Sequence, residues 1–144
     1  MSPGNQANES TEVLDQKKMI WIGMLGFQIV LVGILLFLRN DMEYIQPPEQ
    51  AITIGFGGVA LILFVVGQFL QRKYRKHREQ EAKLPDQRHP AQDSSSFTFY
   101  VSSLGLFEMC TILGFVLGLL GTEYEIIAVF CLFGIFSTAK SFPT

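Results

Sequence analysis

Four blocks of this sequence run almost free of charge for long enough to cross a bilayer, and no other feature limits the possible folds so strongly. A hydrocarbon core of about 30 Å needs about 20 mostly apolar residues of helix. Residues 19–38 and 51–70 contain no charged side chain. Residues 99–120 contain one, Glu108. The fourth block, 125–142, is less clean: its strictly apolar run is 126–136, and it spans only with Lys140 near one end. A lysine there snorkels to the headgroups.

These blocks take up more than half of the 144 residues, which leaves too little chain for a separate soluble domain. Only 17% of the residues are charged and 49% are hydrophobic, against about 25% charged in an ordinary soluble domain. Strands of a membrane barrel would alternate apolar and polar residues over about 10 positions, and these blocks do not alternate. The expected fold is all-α: a polytopic membrane protein whose four transmembrane helices form two hairpins. The first block follows a polar stretch, exceeds a usual signal-peptide core and has no small-residue cleavage site, so it reads as a retained helix.

Positive charge in short loops sets orientation. Ten of the eleven Lys and Arg residues fall on one side of this layout: Lys17 and Lys18, the loop 71–96, and Lys140. Asp41, Glu43 and Glu49 mark the other side, with Arg39 the only cation. Both termini are therefore expected in the cytoplasm, with the chain in the cell (inner) membrane. Residues 1–18 read as a disordered tail and 19–142 as the transmembrane domain.

The loop 71–96 divides in two. Residues 71–83 read as a cytoplasmic continuation of the second helix, and 84–96, with two Pro and three consecutive Ser, as a flexible linker. Arg72, Lys73, Arg75, Lys76 and Arg78 follow directly on the second span. They serve as a topology signal and are candidate contacts for anionic lipid headgroups, each worth about 1 kcal/mol near the surface. The net charge of −2 gives no reason to expect nucleic acid.

Little else in the chain suggests chemistry. Cys110 and Cys131 lie inside spans without CxxC spacing and read as small packing residues. His77 and His89 have no metal-ligand pattern around them. No phosphate-binding, zinc or nucleophile motif is present, so neither a cofactor nor a metal is expected, and no enzyme activity. Ser102 and Ser103 lie early in the third span, where backbone hydrogen bonding accounts for them.

Glu108 is the exception. A carboxylate at the bilayer centre costs at least about 2.5–3.5 kcal/mol, and such residues face the bundle or a wet cavity. On a helical wheel Glu108, Thr111, Gly114 and Gly118 fall within about 120° of one another. Gly114 and Gly118 have the GxxxG spacing that lets another backbone approach. Gln28, near the middle of the first span, is the other deep polar group; a protonated Glu108 bonded to Gln28, Thr111 or a backbone carbonyl would hold the bundle together. Glu108, Thr111 and Gln28 are thus the candidate ion-binding residues, and Gly114 and Gly118 the candidate packing residues.

Residues 108–120, EMCTILGFVLGLL, resemble the ion-binding helix of rotary ATPase proteolipid subunits (c or K), in which a mid-membrane glutamate precedes a similar apolar run with glycine. The resemblance implies that Glu108 is a proton- or sodium-exchanging carboxylate and Thr111 an oxygen ligand. It covers only this helix: the second span lacks the family's dense glycine repeat, and the loop 71–96 is longer than the proteolipid loop. The overall layout resembles small bacterial four-helix membrane proteins with a Glu-bearing third helix. Two expectations follow. One is a non-enzymatic membrane protein that works by assembling with itself (a homo-oligomer) or with a membrane-protein partner. The other is a proton- or sodium-coupled transport component built around Glu108.

Overall fold

The computed structural model describes residues 3–41, 46–83 and 90–143, with side chains described from Thr11 onward except at 81 and 90–94. The chain is all-helical: α1 spans Pro3–Asp41, α2 Gln50–Lys83, α3 Pro90–Leu119 and α4 Tyr124–Lys140. Three of the four, α1 to α3, have stretches long and apolar enough to cross a membrane. At 1.5 Å per residue α1 is about 58 Å long and α2 about 51 Å, so each exceeds a bilayer core of about 30 Å by a wide margin.

The helix ends differ from the sequence reading in two places. Residues 3–18 are helical and continue α1, where a disordered tail was expected. Proline is tolerated in a first helical turn, and Gln6, Ala7, Glu9, Glu12, Leu14, Gln16, Lys17 and Lys18 beyond it favour helix. Residues 90–96, expected to be linker, form the start of α3, again with Pro first; the rest of that linker, 84–89, lies outside the described residues. The continuation of α2 through 71–83 is present as expected.

α3 is the central element. It packs against α2, α4 and α1, whereas α2 barely meets α4 and does not pack along α1 among the described residues, so the first two helices do not pair as the expected hairpin; α3 takes the place between them. The sequence places small residues where these helices meet. A Cβ built at Gly67 of α2 would lie 2.7 Å from the Phe107 ring of α3. One at Gly134 of α4 would collide with the Thr111 hydroxyl and come within 2.8 Å of the Phe107 carbonyl oxygen. Helix–helix association in lipid depends on such close approach, because lipid tails are as apolar as the side chains they would replace.

The solvent pattern is the reverse of that in a soluble bundle. Met19, Ile22, Phe37, Ile54, Leu61 and Phe136 are more than half exposed, while Gln28, Ser103, Thr111 and Thr138 are fully buried. A surface this apolar suits hydrocarbon and not water.

Candidate functional site

The interior has two unlike ends. Residues near the start of α1 meet the end of α2, the start of α3 and the end of α4. We call this the Lys17 end. Here Lys17 is buried; its Nζ donates to the Tyr74 hydroxyl at 3.5 Å and lies 5.0 Å from the Tyr74 ring centroid. The Tyr100 hydroxyl donates to the Ser141 carbonyl at 3.1 Å. The Ser103 hydroxyl lies 2.7 Å from both Gln71 Oε1 and the Tyr100 carbonyl, with one proton to give. Trp21 Nε1 donates to the Thr138 carbonyl at 2.6 Å, and its ring meets Phe142 edge-on at 5.0 Å. Sequence reasoning missed this layer. The signal was available: Trp and Tyr gather where helices leave the hydrocarbon.

At the opposite end, the Arg39 guanidinium donates to the Thr122 carbonyl and sits 4.1 Å over the Tyr124 ring. It thereby ties α1 to the α3–α4 turn, where Gly121 adopts a left-handed φ of 87°. The interior behind it is apolar: Leu35, Ile127 and Cys131, with Val32, Phe115 and Leu119 against them.

The sequence-derived candidates divide between core and edge. Gly114 and Gly118 are both packing positions, and both are used within the chain. A Cβ at Gly114 would lie 2.8 Å from Phe130 Cβ of α4, and one at Gly118 2.6 Å from Leu35 Cδ1 of α1. Thr111 is fully buried against α4. Gln28 is also fully buried, but it does not serve Glu108: its Nε2 donates to the Thr138 hydroxyl of α4 at 2.9 Å. The Glu108–Gln28 bond among the expected alternatives is therefore absent, because α4 lies where Gln28 can reach it. Glu108 is only partly buried, at the edge of the packed face of α3 one turn before Thr111. Among the described residues no side chain or backbone group hydrogen-bonds or ion-pairs with it.

Other candidates have plain roles. Cys110 and Cys131 are buried free thiols, and Cys110 Sγ approaches the Ala60 carbonyl at 3.6 Å. Ser102 is exposed. Arg72, Lys73, Arg75, Lys76 and Arg78 are all exposed on the extension of α2, and Lys73 lies 5.2 Å from the Phe99 ring centroid. His77 stacks on the same ring at 5.9 Å. Among the described residues no group of three His, Cys, Asp or Glu side chains is placed to hold a metal ion.

The chain matches no protein-family model, no curated protein and no solved structure.

Proposed function

We propose that this is a small integral membrane protein that works by assembly in the membrane, with a second copy or a membrane-protein partner, through the face of α3 that carries Glu108. The observation behind this reading is that Glu108 has no hydrogen-bond or ion-pair partner among the described residues although it lies near the middle of an apolar helix. A carboxyl facing lipid at that depth is expensive, and one sealed against another protein surface is much less so. Gly114 and Gly118 are already occupied by α4 and α1, so the free feature of α3 is Glu108 and not the glycine pair. In this reading α4 crosses the membrane as a fourth span, and the Lys17 end, with both termini, faces the cytoplasm of a cell whose inner membrane holds the protein. Arg72, Lys73, Arg75, Lys76 and Arg78 then stand at or below the cytoplasmic headgroups and attract anionic lipid. Among the described residues no catalytic constellation accompanies Glu108, and the reading is non-enzymatic.

The experiment is the native mass of the protein extracted from its own membranes in mild detergent. Wild type and Glu108→Gln, which keeps hydrogen-bonding capacity, should run as the same complex, larger than one 16.2 kDa chain. Glu108→Leu should release monomer. A wild-type monomer would refute the reading.

A second reading keeps Glu108 as an ion-exchanging carboxylate of a proton- or sodium-coupled transport component. The buried Thr111 hydroxyl one turn away, without a hydrogen-bond partner among the described residues, favours it. Here Glu108→Gln abolishes flux in reconstituted vesicles and Glu108→Asp retains part of it. If both variants are silent in that assay, this reading fails.

A further inference from the structure

Among the described residues, every buried polar side chain except Thr122 lies between mid-bundle and the Lys17 end. Between the Lys17 end and mid-bundle lie Lys17, Gln71, Ser103, Ser137 and Ser141, all at most 6% exposed. Hydrogen bonds link several of them: the Ser141 hydroxyl donates to the Ser137 carbonyl at 2.7 Å, Tyr100 donates to Ser141, and Trp21 to Thr138. Beyond Gln28 and Thr111 the interior becomes the apolar layer of Leu35, Ile127 and Cys131. The next buried polar side chain in that direction is Thr122, at the α3–α4 turn.

The deepest members of this polar series are the ones left incomplete. Of three buried side-chain atoms with no hydrogen-bond partner among the described residues, Gln28 Oε1 and Thr111 Oγ1 lie at the deep end of this series, and the third, Thr122 Oγ1, lies beyond the apolar layer. Both flank one turn of α4: the Thr111 hydroxyl lies against Gly134, and the Gln28 amide is bonded to Thr138, four residues on. The missing Cβ at Gly134 is what lets the Thr111 hydroxyl reach that turn at all. Exchanging the oxygen and nitrogen of the Gln28 amide only moves the unpaired group from Oε1 to Nε2. An unpaired buried polar atom costs about 1–3 kcal/mol, and an internal water satisfies such atoms when it finds 2–4 polar partners. Three groups along this one turn of α4 can serve: Gln28 Oε1, the Thr111 hydroxyl, and the Thr138 hydroxyl, which accepts from Gln28 and keeps its own proton to donate.

We propose that Gln28, Thr111 and Thr138 hold an internal water molecule at mid-bundle, in exchange with solvent at the Lys17 end and closed off from the Arg39 end by the Leu35–Ile127–Cys131 layer. This goes beyond the assembly reading and stands independently of it. It gives the bundle one-sided hydration that stops within a turn of Glu108.

Water-edited solid-state NMR on the protein in phosphatidylcholine–phosphatidylglycerol bilayers tests it. Magnetisation from water protons should reach Gln28, Thr111 and Thr138 several-fold faster than Leu35 and Ile127. Thr111→Val should slow transfer to Gln28 several-fold, and Thr111→Ser should restore it. If Gln28, Thr111 and Thr138 are as slow as Leu35, the site is dry and the proposal fails. If Leu35 and Ile127 are as fast as Thr138, the closure fails. Neither outcome depends on the oligomeric state.

Discussion

The Gln28 amide donates to the Thr138 hydroxyl at 2.9 Å, joining the first and last helices through two fully buried side chains. Hydrogen bonds between membrane helices average about 0.6 kcal/mol, with a maximum near 1.7. Thr138→Val should cost about 1–2 kcal/mol, because it strands the whole amide. Gln28→Leu, which removes bonded and unpaired atoms together, should cost less, and the double variant should cost less than the sum of the two. Reversible unfolding in mixed micelles reads all three; additive losses would show that the pair does not interact.

Gly134 and Gly55 should behave oppositely. A Cβ at Gly134 meets the Thr111 hydroxyl and the Phe107 carbonyl, and the carbonyl belongs to a helix backbone that cannot swing away. Gly134→Ala should cost about 1–3 kcal/mol by overpacking. A Cβ at Gly55 meets nothing within 4 Å, so Gly55→Ala should be neutral or stabilising by up to about 1 kcal/mol. Thermal unfolding in detergent ranks them.

Arg39 is joined to the α3–α4 turn by a hydrogen bond to Thr122 and by stacking on Tyr124. Arg39→Lys keeps the charge but loses the planar stack, and should cost about 0.5–1 kcal/mol. Arg39→Met should cost more. Equal losses in the two variants would show that the planar geometry adds nothing.

The proposed orientation places α2's two ends on opposite sides. In a chain carrying Cys110→Ala and Cys131→Ala, cysteines at Arg75 and Lys83 should react with an impermeant thiol reagent from the cytoplasmic side only. Cysteines at Glu49 and Glu123 should react only from the other side. All four positions are exposed. Labelling of Arg75→Cys and Glu123→Cys from one and the same side would overturn the topology.

The sequence made some of this legible and hid the rest, for physical reasons. Hydrocarbon excludes charge, so the charge-free blocks 19–38 and 51–70 announce helices that can span. GxxxG announces that something packs closely at Gly114 and Gly118, but not that α4 takes one and Leu35 of α1 the other. The Gln28 partner was not legible, because it depends on which helix lies beside α1 at that depth. The starts of α1 and α3 were hidden because they are polar without an apolar period, and helix propensity by itself is a weak prior. The polar layer at the Lys17 end involves four helices and residues as far apart as Trp21 and Thr138, beyond any local pattern.

The central claim is that the partner of Glu108 lies outside the chain and seals it. Carbodiimide labelling tests this directly, since these reagents attack protonated carboxyls in apolar surroundings, with Glu108→Gln as control. The account predicts no labelling at Glu108 in intact membranes and labelling once detergent has separated the complex. Labelling in intact membranes that sodium or rising pH removes would contradict it, and would mark Glu108 as an open, exchanging site.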